Sequence, residues 1–370
     1  DFLTEPPRYD LPYERPEYLD AAWAYDLSSV PEPADYGAVL LKLLASPNIC
    51  SKRWVWQQYD HMVQTNTVEG PGGDAAVLRI KEAAPLGVGL TIDGNSRLVY
   101  LDPYEGARLN VAEAARNLAC VGAEPRIVTD GLNFGNPDKA DRYYQFREAV
   151  RGIADACRQF DLAVVSGNVS FYNESPEGPI HPTPIIGMLG VIPDAARHGT
   201  LGFKNPGDQI WLLGDLNPQR SLAGSEYLAV EHGLEVGRPA ELNVDLELKL
   251  QEAVRELVRQ GLAASAHDCS DGGLAVTLAE SCIAGAIGAQ VSMEKVSAEA
   301  LFGEAPSRVV VSVPQVSAPQ AEALLHSAGV PFARLGEVGG ERLMVERALD
   351  IPVSELEATW ERTIPAAMSS

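Results

Sequence analysis

The chain has 370 residues, and 29 lysines and arginines against 51 aspartates and glutamates leave a formal net charge of −22. So acidic a chain argues against coating DNA or RNA and against docking on an anionic membrane, since both need a basic surface. It leaves open a phosphorylated small molecule bridged to carboxylates through Mg²⁺.

The length predicts two domains, with enough chain to bury a core without disulfides. Cys50, Cys120, Cys157, Cys269 and Cys282 are odd in number and form no CxxC pair, which reads as reduced thiols in a cytoplasmic protein. The most apolar stretch, 273–291, is interrupted by Thr277, Glu280 and Ser281, too polar for a membrane span, and no signal peptide is visible.

In chain order, Pro6, Pro7, Pro12 and Pro16 predict an extended linker lying over a surface, and a chain that opens on a linker predicts another module before it. Ala34 to Ala45 reads as a helix with Val39, Leu40, Leu43 and Leu44 on one face, stopped by Pro47. Strand-like runs follow at Ala75 to Ile80, Leu86 to Ile92 and Arg97 to Leu101. Asn110 to Val121 reads as a helix ended by Gly122, Arg126 to Thr129 as a strand, Ala140 to Phe160 as a long helix, and Leu162 to Val165 as a strand. The apolar run Pro184 to Ile192 closes this unit, and the loop-like composition from Ala195 to Pro206 marks a boundary. Beyond it the pattern predicts a strand at Gln209 to Leu213, helices at Leu246 to Arg259 and Leu274 to Ile283, a strand at Arg308 to Val313, a helix at Ala318 to Ser327 and a strand at Phe332 to Val338.

Four segments carry candidate chemistry. Gly70-Pro-Gly-Gly-Asp74 brings backbone N–H groups near an anion with a carboxylate beside them, although taken alone a hairpin or entry turn capped by Asp74 is the better reading. Thr129-Asp130-Gly-Leu-Asn133-Phe-Gly135-Asn136 places a carboxylate at the end of an apolar strand, where open α/β sheets present ligands, or else forms an Asx turn. In Ser166-Gly167-Asn168-Val169-Ser170-Phe-Tyr-Asn-Glu174 a glycine permits close backbone approach, the Asn168 oxygen suits a Mg²⁺ shell, and the Ser170 hydroxyl suits a phosphate or an amide. His267-Asp-Cys-Ser-Asp-Gly-Gly273 opens a helix, as an anion site or as simple capping by Ser270 or Asp271. There is no GxxxxGK[ST] loop, no zinc pattern and no GxSxG elbow. His181 and His232 are isolated, and Cys269 sits in an acidic motif that disfavours a thiolate.

Taken in order, Tyr59-Asp-His61, Gly70-Pro-Gly-Gly-Asp-Ala-Ala-Val77, Asp130-Gly-Leu-Asn-Phe-Gly-Asn136, Gly167-Asn-Val-Ser170 and His267-Asp-Cys-Ser-Asp-Gly-Gly-Leu274 resemble the phosphoribosylformylglycinamidine synthases, within the aminoimidazole-ribonucleotide-synthetase-like ATP enzymes. The resemblance is to the second half of the small, glutaminase-free large subunit. It implies a two-domain α+β (α/β) fold: an N-terminal domain whose mixed, largely antiparallel sheet forms half of a dimer barrel, then an α/β C-terminal domain. On that reading 1–33 is the linker, 34–196 the N-terminal ATP-binding domain, 205–350 the C-terminal domain and 351–370 a C-terminal helix and tail. The implied chemistry is an ATP-dependent carbon–nitrogen ligation in purine biosynthesis, converting formylglycinamide ribonucleotide, ATP and glutamine-derived ammonia to the amidine, ADP and phosphate. The implied partners are the first half of the same subunit, a glutaminase and a small bridging subunit, with a homodimer when the chain stands alone.

Carried over by motif, Asp130 and Gly167 match ATP contacts, Asn168 a Mg²⁺ ligand and Ser170 a substrate contact. No catalytic residue is expected in this chain. The family's histidine-bearing segments correspond to Ser46-Pro-Asn48-Ile49-Cys-Ser-Lys52 and Asp93-Gly-Asn95-Ser96, which lack histidine. The matching pocket, near Asp93 and the His267 motif, is therefore expected to be non-catalytic and to hold at most a structural nucleotide. Two alternatives stand beside this reading: another ATP enzyme of the superfamily, either the synthetase itself or a small-molecule kinase, and a purely structural nucleotide-binding half-subunit.

Overall fold

The computed structural model describes residues 11–369. The first unit is a six-stranded sheet of β1 (Thr67–Glu69), β2 (Ala76–Arg79), β3 (Gly87–Asp93), β4 (Glu124–Asn133), β5 (Ala163–Ser170) and β8 (Thr183–Ile192), with β6 (Glu174–Ser175) and β7 (Gly178–Pro179) as a small separate hairpin. The sheet order is β1-β2-β3-β8-β4-β5; only β4 and β5 run parallel. Helices Pro103–Cys120 and Ala140–Gln159 cover one face, burying Val111, Leu118 and Ile153 against Val77, Val128, Ile186 and Met188.

The other face is open. Residues directly opposite across a strand pair share a face, and two rows, Val88–Val191 and Leu90–Leu189–Ile127, make an apolar field. Beside them Ile92, paired with Gly187, is 74% exposed. Edge strand β5 is exposed on both of its faces, at Val164, Val165 and Val169.

The second unit is a seven-stranded sheet made of β9 (Gln209–Gly214), β10 (Ser265–Asp268), β11 (Ala289–Val291), β12 (Arg308–Val313), β13 (Phe332–Val338), β14 (Arg342–Val345) and β15 (Leu349–Pro352). Its order is β10-β12-β9-β13-β11-β14-β15, antiparallel except for β11–β14. The apolar face of helix Val244–Arg259 (Leu250, Val254, Leu257) packs with helix Ala318–Ala328 on one side. Helices Gly273–Gly285 and Ala298–Phe302 pack on the other.

Three expectations change. Arg97 to Leu101 is not a strand but part of helix Ser96–Leu101. Its β-branched and aromatic run favours a strand, but Asn95 accepts the N–H of Leu98 and caps a helix, and tertiary packing of Leu98, Val99 and Leu101 completes it. Helix Tyr36–Leu44 forms where expected, but its face enters the core of the second unit, beside Leu274 and Leu278.

The proline-spaced opening is only partly extended. Pro6 and Pro7 lie outside the described residues, and Tyr18–Trp23 is a helix. From Tyr13 onward this segment straps both units. Glu14 N–H donates to Ala140 O, Trp23 Nε1 to Leu101 O at 2.7 Å, and Gly237 N–H to Ala22 O. The Trp23 ring lies between the guanidinium groups of Arg15 and Arg238, at 4.6 and 4.5 Å.

Candidate functional site

Strands β4 and β5 run in register, so Asp130 faces Gly167, Gly131 faces Asn168 and Asn133 faces Ser170. The four candidate residues therefore lie together, but on two sides of the sheet. Asp130 turns toward the helix side, into the space that a side chain at 167 would need: a Cβ there would sit 2.2 Å from its Oδ1 and 2.9 Å from its carbonyl oxygen, so any larger residue would have to displace the carboxylate. Partial burial pushes the Asp130 carboxyl up from its ordinary value.

Asn168 lies on the open side. Its Oδ1 is 3.4 Å from where a Cβ on Gly131 would stand, beside Ile185. The pairing puts Thr129 and Ser166 on the same side, their hydroxyls 2.8 Å apart, with the Asn133–Ser170–Thr183 row beyond. Neither the Asp130 carboxylate nor the Asn168 amide makes a side-chain hydrogen bond or ion pair among the described residues. A free, neutral amide oxygen amid hydroxyls fits a hard cation that keeps most of its shell as water and phosphate oxygens. Among the described residues no three His, Cys, Asp or Glu side chains converge as a complete metal cage.

The second site is a cleft of about 1370 Å³ between the two units. It is walled by the Pro71–Asp74 loop, the Asn48–Arg53 segment, Asp93, Glu113, Leu201–Lys204, His267 and Trp360. Asp74 neither caps a turn nor stands free. Its Oδ1 lies 3.0 Å from His267 Nδ1 and accepts the Asp268 N–H, while Glu280 sits 3.0 Å from His267 Nε2. Burial pushes the His267 imidazole down, but the two carboxylates outweigh it and hold its pKa well above the ordinary value. The cation clips the glycine-rich loop to β10.

The helix opening at Gly273 is not capped by Ser270 or Asp271. Gly272 is its N-cap, and the Glu304 carboxylate accepts the Gly272 and Glu226 N–H groups at 2.6 and 2.8 Å. Asp271 instead accepts from Asn95. Asn48 donates to Glu226. The amides of Asn48 and Asn95 are thus spent on structure. His181 is also satisfied, stacked on Tyr100 at 4.6 Å and 3.3 Å from Glu235. All five cysteines are buried and free; Cys269 has its thiol pushed up, chiefly by burial.

Sequence reasoning missed the charges that join the units. Arg116 donates to both oxygens of Asp268 and both of Glu247, and Glu247 also accepts from Ser307 and Gln251. The available signal was an arginine in the middle of an alanine-rich helix buried all round.

Asp93, held by Thr91 and Asn117, has its carboxyl pushed up to about 7, by burial first and then by the charge of Asp268. Unfolded, this group titrates near 4. Between about pH 4 and 7 the folded chain keeps a proton that the unfolded chain has lost, so this group's contribution to stability falls as pH rises through that window and levels above it. Asp93→Asn should therefore gain on the parent between pH 5 and pH 8, by on the order of 5 °C in melting temperature. An equal difference at both pH values in thermal unfolding would contradict the shift.

Residues 72–192 match the model of the AIR synthase related protein N-terminal domain, and 205–346 that of the C-terminal domain. A phosphoribosylformylglycinamidine synthase subunit PurL from an Anaeromyxobacter species is 51% identical over 385 aligned positions, which take in 100% of this chain and 50% of that one. The chain thus spans about half the length of the curated relatives it matches. Thermotoga maritima PurL complexed with FGAR superposes with a TM-score of 0.70 at 20% identity, over 88% of this chain and 54% of that one. The same protein complexed with ATP gives 0.65 at 21%, over 87% and 52%. These structures support the fold of two α/β units. Among the described residues no helix is long and apolar enough to cross a membrane.

Proposed function

Since this chain belongs to the AIR synthase related protein family, we propose that it is one half, the second, of an ATP-dependent phosphoribosylformylglycinamidine synthase large subunit. In the reaction, ATP passes its γ-phosphoryl group to the formyl amide oxygen of formylglycinamide ribonucleotide. Ammonia then adds at that carbon and phosphate leaves, giving the amidine, ADP and phosphate. The observation that carries the reading is the sidedness of the β4–β5 site: Asn168 and Ser170 lie on the same uncovered face as the apolar field of Val88, Leu90 and Ile92. A partner sheet that buries the field also roofs those two side chains, so the site is completed by association.

Ser170 offers its hydroxyl to the substrate, and Asp130 and Gly167 line the nucleotide from the other side of the strands. Asn168 would hold Mg²⁺, which when bound supplies charge neutralisation on the phosphates. Phosphoryl transfer asks mainly for such positioning and fixed charge. The proton handling comes from histidines of the first half. Ammonia comes from a glutaminase, joined through a small bridging subunit, and the assembly works in the cytoplasm. The cleft between the units has a non-catalytic role, since Asn48/Ile49 and Asn95 stand at its histidine positions.

Asn168→Ala is the test. It should lower Mg²⁺-dependent turnover, measured with the first half supplied, by about 3 kcal/mol of barrier, roughly a hundredfold, with the melting temperature unchanged. Near-parental turnover at limiting Mg²⁺ would remove Asn168 from the site.

A further inference from the structure

The two loops that leave the site strands are tied to each other. After β4 the chain turns through Phe134, Gly135 and Asn136 to Lys139; after β5 it turns through Tyr172 and Asn173 into the β6–β7 hairpin. Asn173 forms the inner tie. Its Nδ2 donates to Ser170 O at 2.8 Å and to Phe134 O at 3.0 Å, while its Oδ1 accepts from Ser170 Oγ at 3.3 Å. Glu174 forms the outer tie. Its Oε1 accepts the Asn136 N–H at 2.9 Å, and its Oε2 is 2.8 Å from Lys139 Nζ.

The fit is close. A Cβ on Gly135 would lie 3.2 Å from Glu174 Oε1 and 3.1 Å from Pro179 Cβ, so a side chain there would press on the tie. Between the ties Tyr172 holds φ = +61°, a conformation that costs a non-glycine residue energy, with its ring mostly exposed. Such strain persists where surrounding bonds over-determine it: here Tyr172 N–H donates to Gly135 O, and Glu174 N–H to Tyr172 O. Nothing in the proposed chemistry uses Glu174, and it packs in no core.

We propose that Glu174 is a positioning residue: by pinning the Gly135–Lys139 loop across the end of β5 it fixes the lip against which Asn173 orients the Ser170 hydroxyl toward substrate. The inference rests on the proposed reaction for its consequence and on the loop geometry for its cause. Glu174→Gln keeps an oxygen for the Asn136 N–H and loses only the ion pair; Glu174→Ala loses both. Glu174 is exposed, so neither variant should fail to fold.

Two readouts test it. In the full chain alone, amide hydrogen exchange at Asn136 should speed up in Glu174→Ala and stay near parental in Glu174→Gln. With the first half supplied, the KM for formylglycinamide ribonucleotide should rise roughly tenfold in Glu174→Ala, with kcat changed far less, and recover in Glu174→Gln. Parental exchange at Asn136 in Glu174→Ala overturns the tie itself. Altered exchange with an unchanged KM overturns its role in substrate positioning. A parental mixture that makes no amidine overturns the reaction on which the inference rests, and the exchange result separates that failure from the first.

Discussion

Given Mg²⁺, ATP, ammonia and formylglycinamide ribonucleotide, the purified chain should form no amidine and should sediment as a homodimer; adding a first-half polypeptide should convert it to a mixed pair that turns over. The reason lies in what each face of the first unit carries. An acid–base group must reach the formyl amide within hydrogen-bond distance. On the open side of β4, β5 and β8 the polar side chains at the ligand end are Thr129, Asn133, Ser166, Asn168, Ser170 and Thr183, none of which moves a proton near neutral pH. His267 is locked between Asp74 and Glu280 in the cleft, and His181 is engaged by Tyr100 and Glu235. The same face exposes Leu90 and Ile92, and apolar surface of this kind seeks a partner, most simply a second copy across a two-fold axis. A second copy buries the field but brings the same hydroxyls and amides, so it restores no proton handler. Amidine made by the chain alone at the rate of the mixture would mean a complete enzyme, and the reading as another ATP enzyme of the superfamily would then be the better one. A clean monomer at micromolar concentration would remove the argument from the exposed face.

The parts that were legible in the sequence are those where one local signal outweighs its surroundings. Arg308–Val313 falls at its expected bounds because a strand buried along its whole length reads as an almost continuous apolar run, and Phe332–Val338, with Leu335 and Val338 buried but Arg334 and Glu337 exposed, falls at its bounds because glycines at 329 and 339 bracket it. Helix Ala140–Gln159 is long enough for its periodicity to dominate. The adjacency of Asp130 to Gly167 was readable because both motifs end apolar strands, and such strands tend to pair. Their sidedness was not: it depends on the irregular register between Val128 and Thr129, where Thr129 meets Ser166 instead of Val165, and a one-residue shift exchanges the faces of everything after it. Short strands such as Ser265–Asp268 and Ala289–Val291 offer three or four residues, too few for a period. The N-cap at Gly272 was misread because its acceptor, Glu304, arrives from 32 residues away.

Arg116 shows the same limit with the largest consequence for stability. It is 3% exposed, Asp268 1% and Glu247 0%, so the junction holds two carboxylates and one guanidinium out of water. Each comes from a different element: helix Pro103–Cys120 of the first unit, and β10 and helix Val244–Arg259 of the second. Burial of the charges is costly in itself and is offset here by near-complete pairing: Arg116 Nη1 lies 3.1 and 3.2 Å from the Glu247 oxygens and Nη2 lies 3.2 Å from Asp268, with Ser307 and Gln251 meeting Glu247 from the other side. Removing the cation leaves two carboxylates facing each other in a dry junction, and breaking a buried pair in this way typically costs about 3–5 kcal/mol. Arg116→Met, close in length and able to fill the space, should therefore lose about that much in urea unfolding at pH 7, a large part of the total stability of an ordinary domain. The loss should shrink as pH falls, because burial already pushes the Asp268 carboxyl up and protonating it removes an unpaired charge. Replacing all three groups together with Met and Leu should recover most of the loss, since apolar side chains of similar volume carry no desolvation cost. An Arg116→Met chain within about 1 kcal/mol of the parent would mean that water reaches the junction and that the two units are held together by their apolar contacts instead.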